Sequence, residues 1–77
     1  MWIAIEHKDT QDVLNLDNFS FAHQKDSSVI IVFAGGTHTY NFNHAETALD
    51  FLGAFTAIRE LSIDQTIKEK EFTISII

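Results

Sequence analysis

The sequence predicts an α+β fold: a five-stranded antiparallel β-meander packed on one α-helix, followed by a C-terminal β-strand. Three observations predict it. Val29 to Asn43, VIIVFAGGTHTYNFN, sets two runs of β-branched and aromatic residues on either side of Gly35-Gly36, which is the pattern of a β-hairpin. Ala48, Phe51, Leu52, Phe55, Ile58 and Leu61 recur at the three- and four-residue spacing of a helical face, and Leu49 widens the stripe. The chain ends on FTISII, which alternates as a strand does.

Taken in order, Met1 to Glu6 reads as the first strand, with Ile3 and Ile5 on one side and Trp2 and Ala4 on the other. The polar run His7 to Asp12 supplies turn-forming side chains. Val13 to Leu16 and Phe19 to His23 read as the next two strands, joined by a two-residue turn at Asp17-Asn18. That turn would oppose Leu16 to Phe19 and Leu14 to Phe21, leaving Val13, Asn15, Ser20 and Ala22 on the other side. In the central hairpin, a Gly35-Gly36 turn opposes Ala34 to Thr37. Val29, Ile31, Phe33, His38, Tyr40 and Phe42 then share a core face, while Ile30, Val32, Thr39 and Asn41 share the second.

Asn43, followed three residues later by Glu46, predicts the helix start by the logic of a capping box. Gly53 falls beside the apolar stripe and is expected at the surface. Ser62 to Glu71 reads as a loop or a short helix capped by Asp64. The final strand needs an edge, and either the first strand or a partner chain offers one.

The segment VLNLDNFSF, then VIIVFAGG, a short polar strand and a helix near HAETALDFL, resembles a loose group of small, mostly uncharacterised meander-plus-helix proteins of Gram-positive bacteria and their phages. The resemblance spans roughly residues 1 to 61, and its shared Asn15-Leu16-Asp17-Asn18 run makes a turn. It implies a fold and no catalytic residue. Phage members of such a group are expected to include inhibitors of host proteins and ligand-sequestering proteins.

Composition bounds the chemistry. Seventy-seven residues make one small domain, 1–77, of a size at which a core supplies only about 3–5 kcal/mol and oligomerisation is a natural supplement. With no Cys there is no disulfide framework and no thiol chemistry, which suits a cytoplasmic protein. A formal charge of −6 and the dispersed Lys8, Lys25, Arg59, Lys68 and Lys70 disfavour nucleic acid and anionic membrane, and leave a basic protein as a fitting partner. The apolar run of MWIAIEHK is too short for a signal peptide.

Catalytic and cofactor-binding patterns are absent from the sequence. Gly35-Gly36 lacks the spacing and lysine of a phosphate loop, and no Ser or Thr has an identifiable base. His7, His23, His38 and His44 lack metal-ligand spacing and read as edge or surface residues, with His38 the one on core-side parity. Asp17, Asp12 and Glu6 read as solvated carboxylates at strand ends. No enzyme, cofactor or metal is therefore expected.

What remains is the second sheet face. Trp2, Ala4, Val13, Ile30, Val32 and Ile77, with Ala22 beside them, form a candidate interface, because contiguous apolar patches of this kind are uncommon on monomers. The expected function is a protein-interaction module working as a homodimer or larger homo-oligomer, of the kind that includes phage-type inhibitors of a host protein. The alternative is a protein that binds or sequesters a small, nucleotide-like ligand, in a pocket at the oligomer interface lined by Trp2, His38 or Tyr40.

Overall fold

The computed structural model describes residues 1–61, Leu61 by its backbone alone, and 66–77. Within them the fold is α+β, with seven antiparallel strands in two sheets and one helix. The elements are β1 (Trp2–His7), β2 (Thr10–Asn15), β3 (Phe19–Lys25), β4 (Ser28–Phe33), β5 (Gly36–Asn41), α1 (Ala45–Leu61), β6 (Thr66–Lys68) and β7 (Phe72–Ile76). Sheet order is β2-β1-β7-β6 in the first sheet and β3-β4-β5 in the second. The C-terminal strand pairs within the chain, on β1 and β6. Of the stretch expected to be a loop or a short helix, Thr66–Lys68 is instead the strand β6, while the expected Asp64 cap and Ile63 lie outside the described residues.

The meander divides at one corner. Instead of a two-residue turn, Leu16–Asn18 forms a single 3-10 turn, because the Asn15 side chain accepts the Asp17 N–H at 3.0 Å and so offers the backbone an alternative to the ladder. Leu16 N–H still donates to Met1 C=O, and Asn18 C=O already accepts from Ala34 N–H, both at 2.9 Å. Only Asp17 separates the last bond of one sheet from the first of the next. β2 and β3 therefore never pair, and the expected oppositions of Leu16 with Phe19 and Leu14 with Phe21 are replaced by pairings to β1 and β4.

A bulge between Phe19 and Phe21 then reverses the parity of β3. Phe19 packs toward the core, its ring 5.4 Å from that of Phe55, with the Arg59 guanidinium 4.9 Å above it. Phe21 turns outward and is 53% exposed, while Ala22 packs against the core margin. Both positions are the reverse of the sequence expectation.

The central hairpin forms, two residues out of the expected register. Phe33 faces Gly36 and Ile31 faces His38, so the loop is Ala34-Gly35. A slip of two conserves side-chain parity. Val29, Ile31, Tyr40 and Phe42 accordingly reach the core as expected. No glycine takes a positive φ. That conformation falls instead to Lys8 (φ 56) and Asp26 (φ 54), in the turns that join β1 to β2 and β3 to β4.

The helix begins at Ala45, two residues after Asn43. His44 C=O accepts the Ala48 N–H at 3.2 Å, which makes His44 the N-cap residue, and Asn43 caps no N–H among the described hydrogen bonds. Gln24 Nε2 donates to Ala45 C=O at 3.0 Å and ties the end of β3 to the helix start. Ala48, Phe51, Phe55 and Ile58 bury the expected stripe, Leu52 is half-buried, and Leu49 is exposed because it lies beyond the reach of the sheets. Gly53 is at the surface. Phe51 meets Tyr40, Phe42 and Phe72 at centroid distances of 5.0 to 5.1 Å, joining both sheets. Truncating such a ring costs about 3–5 kcal/mol, comparable to the whole net stability of a small domain.

Candidate functional site

The outward residues of the first sheet follow from strand alternation. Ile3, Ile5, Leu14 and Ile74 point to the core, so Trp2, Ala4 and Val13 point away from it. Ile77 N–H donates to Trp2 C=O at 3.0 Å and extends the β1–β7 ladder, placing Ile77 beside Trp2. Trp2 is 51%, Val13 53% and Ile77 69% exposed. Ala4 shares their parity, but its small side chain is covered and contributes no surface.

Ile30 and Val32 belong elsewhere. They are half-buried on the outer side of the second sheet, where Phe21 stands opposite Val32. The corner at Asp17 thus divides the expected second face between two sheets. Trp2, Val13 and Ile77 form one patch, and Phe21, Ile30 and Val32 form another. Ala22 joins neither, having turned toward the core.

A groove of about 270 Å³ opens where β2 and β5 approach each other. Trp2 and His38 both line it, with Leu14, Asn15, Phe33 and Gly36 among the others. Next to its lining residue His38 stands a polar clasp on Asp12. The Tyr40 hydroxyl donates to Asp12 Oδ2 at 2.7 Å, and His38 Nδ1 lies 3.9 Å from the same oxygen. Burial, with the bond to Asp12 second, pushes the Tyr40 hydroxyl far above its ordinary range and keeps it protonated. Of the three residues expected in a pocket, the structure brings Trp2 and His38 together and leaves Tyr40 in the core, outside the groove lining.

His7 departs from the expectation of a turn or surface residue. It ends β1 on the same parity as Ile3 and Ile5 and is 7% exposed, its ring edge-on to Phe42 at 4.7 Å and to Tyr40 at 5.8 Å. Its Nε2 has no hydrogen-bond partner among the described residues. Burial, then the nearby Lys8 charge, lowers its pKa from the ordinary 6.5. Extending the alternation of Ile3 and Ile5 by one step was the available signal.

The carboxylates do not gather: Glu6 accepts from Gln11 at 3.4 Å, Asp12 from Tyr40, and Asp17 from the Met1 amino group at 3.2 Å. Lys8, Lys68 and Lys70, by contrast, are less dispersed than the sequence suggests. They meet in a hollow of about 390 Å³, but Glu6, Glu69 and Glu71 line it too, so it offers an anion no net charge. Among the described residues no cluster of His, Cys, Asp and Glu is arranged to hold a metal ion, and no helix is long and apolar enough to cross a membrane. Comparison with protein-family models, curated proteins and solved structures finds no match to this chain.

Proposed function

We propose that this protein is a non-enzymatic protein-interaction module that self-associates, most simply as a homodimer, and that acts in the cytoplasm. The observation that carries the reading is the half-exposed Trp2 with Val13 and Ile77 on the outer side of the first sheet. Indole and branched aliphatic side chains are costly to leave in water, and tryptophan is enriched among the residues that carry binding energy at the centres of interfaces. The −6 charge supports a basic protein as a further partner, in the manner of a phage inhibitor of a host protein. Sedimentation velocity tests the self-association: the wild type should sediment as a dimer and Val13→Lys as a folded monomer. A wild type that is monomeric at about 100 μM would exclude a stable homodimer in the ordinary affinity range.

The second reading, a small-ligand binder, draws on the meeting of Trp2 and His38. At about 270 Å³ the groove of one chain falls below the roughly 300–1,000 Å³ usual for such sites, so this reading needs a second copy to complete the pocket. Native mass spectrometry of protein purified from its source cells would then show a retained ligand mass on the dimer.

A further inference from the structure

The groove between β2 and β5 has a property that the apolar patch lacks: strand edges flank it on both sides. β2 is the outer strand of one sheet and β5 of the other, and among the described residues no backbone hydrogen bond joins them. Each edge presents main-chain N–H and C=O groups that have no ladder partner on that side. Gly36, in β5, leaves its stretch of edge bare, and the space where a side chain would stand is open, with no atom within 4 Å. Leu14 and Phe33 add apolar surface between the two edges, with Asn15 and His38 beside them.

We infer that this groove accepts an extended segment of a partner protein as an added β-strand, one apolar side chain lying against Leu14 and Phe33 and basic side chains flanking it. The inference rests on the interaction-module reading and names the partner's chemistry. An open groove lined by backbone edges rewards a ligand with its own regularly spaced main-chain donors and acceptors. Charge selects the flanking residues. No Lys or Arg lines the groove, the Asp12 carboxylate, its side chain 36% exposed, lies 3.9 Å from the Nδ1 of the lining residue His38, and the chain as a whole carries a charge of −6. A basic strand meets complementary charge there, and an acidic one meets repulsion.

The test begins with a displayed library of random peptides about ten residues long, selected against the full chain. The enriched sequence, synthesised, is the probe. The expected consensus has an apolar residue between Lys or Arg residues. Its binding should shift the amide resonances of Val13 to Asn15 and Gly36 to His38, weaken about three- to tenfold in Asp12→Asn, and fall at least about tenfold when alternate peptide nitrogens are methylated. Failure to enrich any sequence, or equal binding by the methylated peptide, overturns strand addition. Shifts confined to Ala4, Ser75 and Ile77, which lie in the first sheet outside the groove lining, overturn the groove but leave the interaction-module reading standing. A homodimer that buries β5 against a second copy also overturns it, because the groove is then already filled.

Discussion

Tyr40 donates its hydroxyl to Asp12 at 2.7 Å across 28 residues of sequence, joining the outer strand of one sheet to the outer strand of the other. The two partners differ in burial: Tyr40 is 3% exposed, and the Asp12 side chain 36%. Removing one is therefore not equivalent to removing the other. Tyr40→Phe leaves a carboxylate that water can solvate and should cost about 1–2 kcal/mol in urea unfolding. Asp12→Ala strands a buried hydroxyl and should cost more, up to about 3 kcal/mol. Equal or reversed costs would contradict the clasp.

His7 makes stability depend on pH in a defined direction. Its folded-state pKa lies below the unfolded 6.5, so the unfolded chain binds more protons as the pH falls. The contribution of a neutral His7 is therefore full above 6.5 and is lost as pH falls through the lower folded value. Urea midpoints measured from about pH 7.5 to about pH 5.5 should decline for the wild type and decline less for His7→Phe, whose ring fits among Tyr40 and Phe42. Parallel declines would show that His7 is protonated without penalty.

The turns invert the usual assignment of glycine. Gly36→Thr in β5 should be neutral or stabilising, because its φ is not positive and its side chain would enter open space. Lys8→Gly should stabilise by about 1 kcal/mol by relieving a left-handed lysine. Thermal unfolding of the two variants checks both signs, and a destabilised Gly36→Thr would argue for a different loop.

At the helix start, His44→Asp should gain about 1 kcal/mol, since Asp accepts from the free N–H groups of the first turn. Asn43→Ala should change urea unfolding by a few tenths at most. A larger loss at Asn43 would move the cap back one residue.

The fold class, the helix stripe and the inward face of the central hairpin were legible in the sequence because they depend on periodicity. A two-residue register slip leaves periodicity unchanged, and Val29, Ile31, Tyr40 and Phe42 stay inside. What was not legible depends on single local choices. The Asn15 side chain turned a hairpin into a corner, and one bulge exchanged Phe21 for Ala22. Neither choice carries a periodic signal. The candidate interface suffered for this reason, since assigning Ile30 and Val32 to the same surface as Trp2 assumed one continuous sheet. The FTISII strand, a candidate for exchange between chains, instead buries Phe72 and Ile74 within its own chain. Truncation at Lys70 would therefore remove part of the core along with the strand.

The central claim is that a partner copy covers Trp2, and Trp2 is the only tryptophan in the chain. Acrylamide quenching of its fluorescence, followed from about 0.1 to about 100 μM protein, reads that coverage directly. The account predicts quenching typical of a half-exposed indole at the lowest concentration, falling several-fold as the protein associates, with Val13→Lys remaining fully quenchable throughout. Quenching independent of concentration in both proteins, with both folded and monomeric, would contradict it.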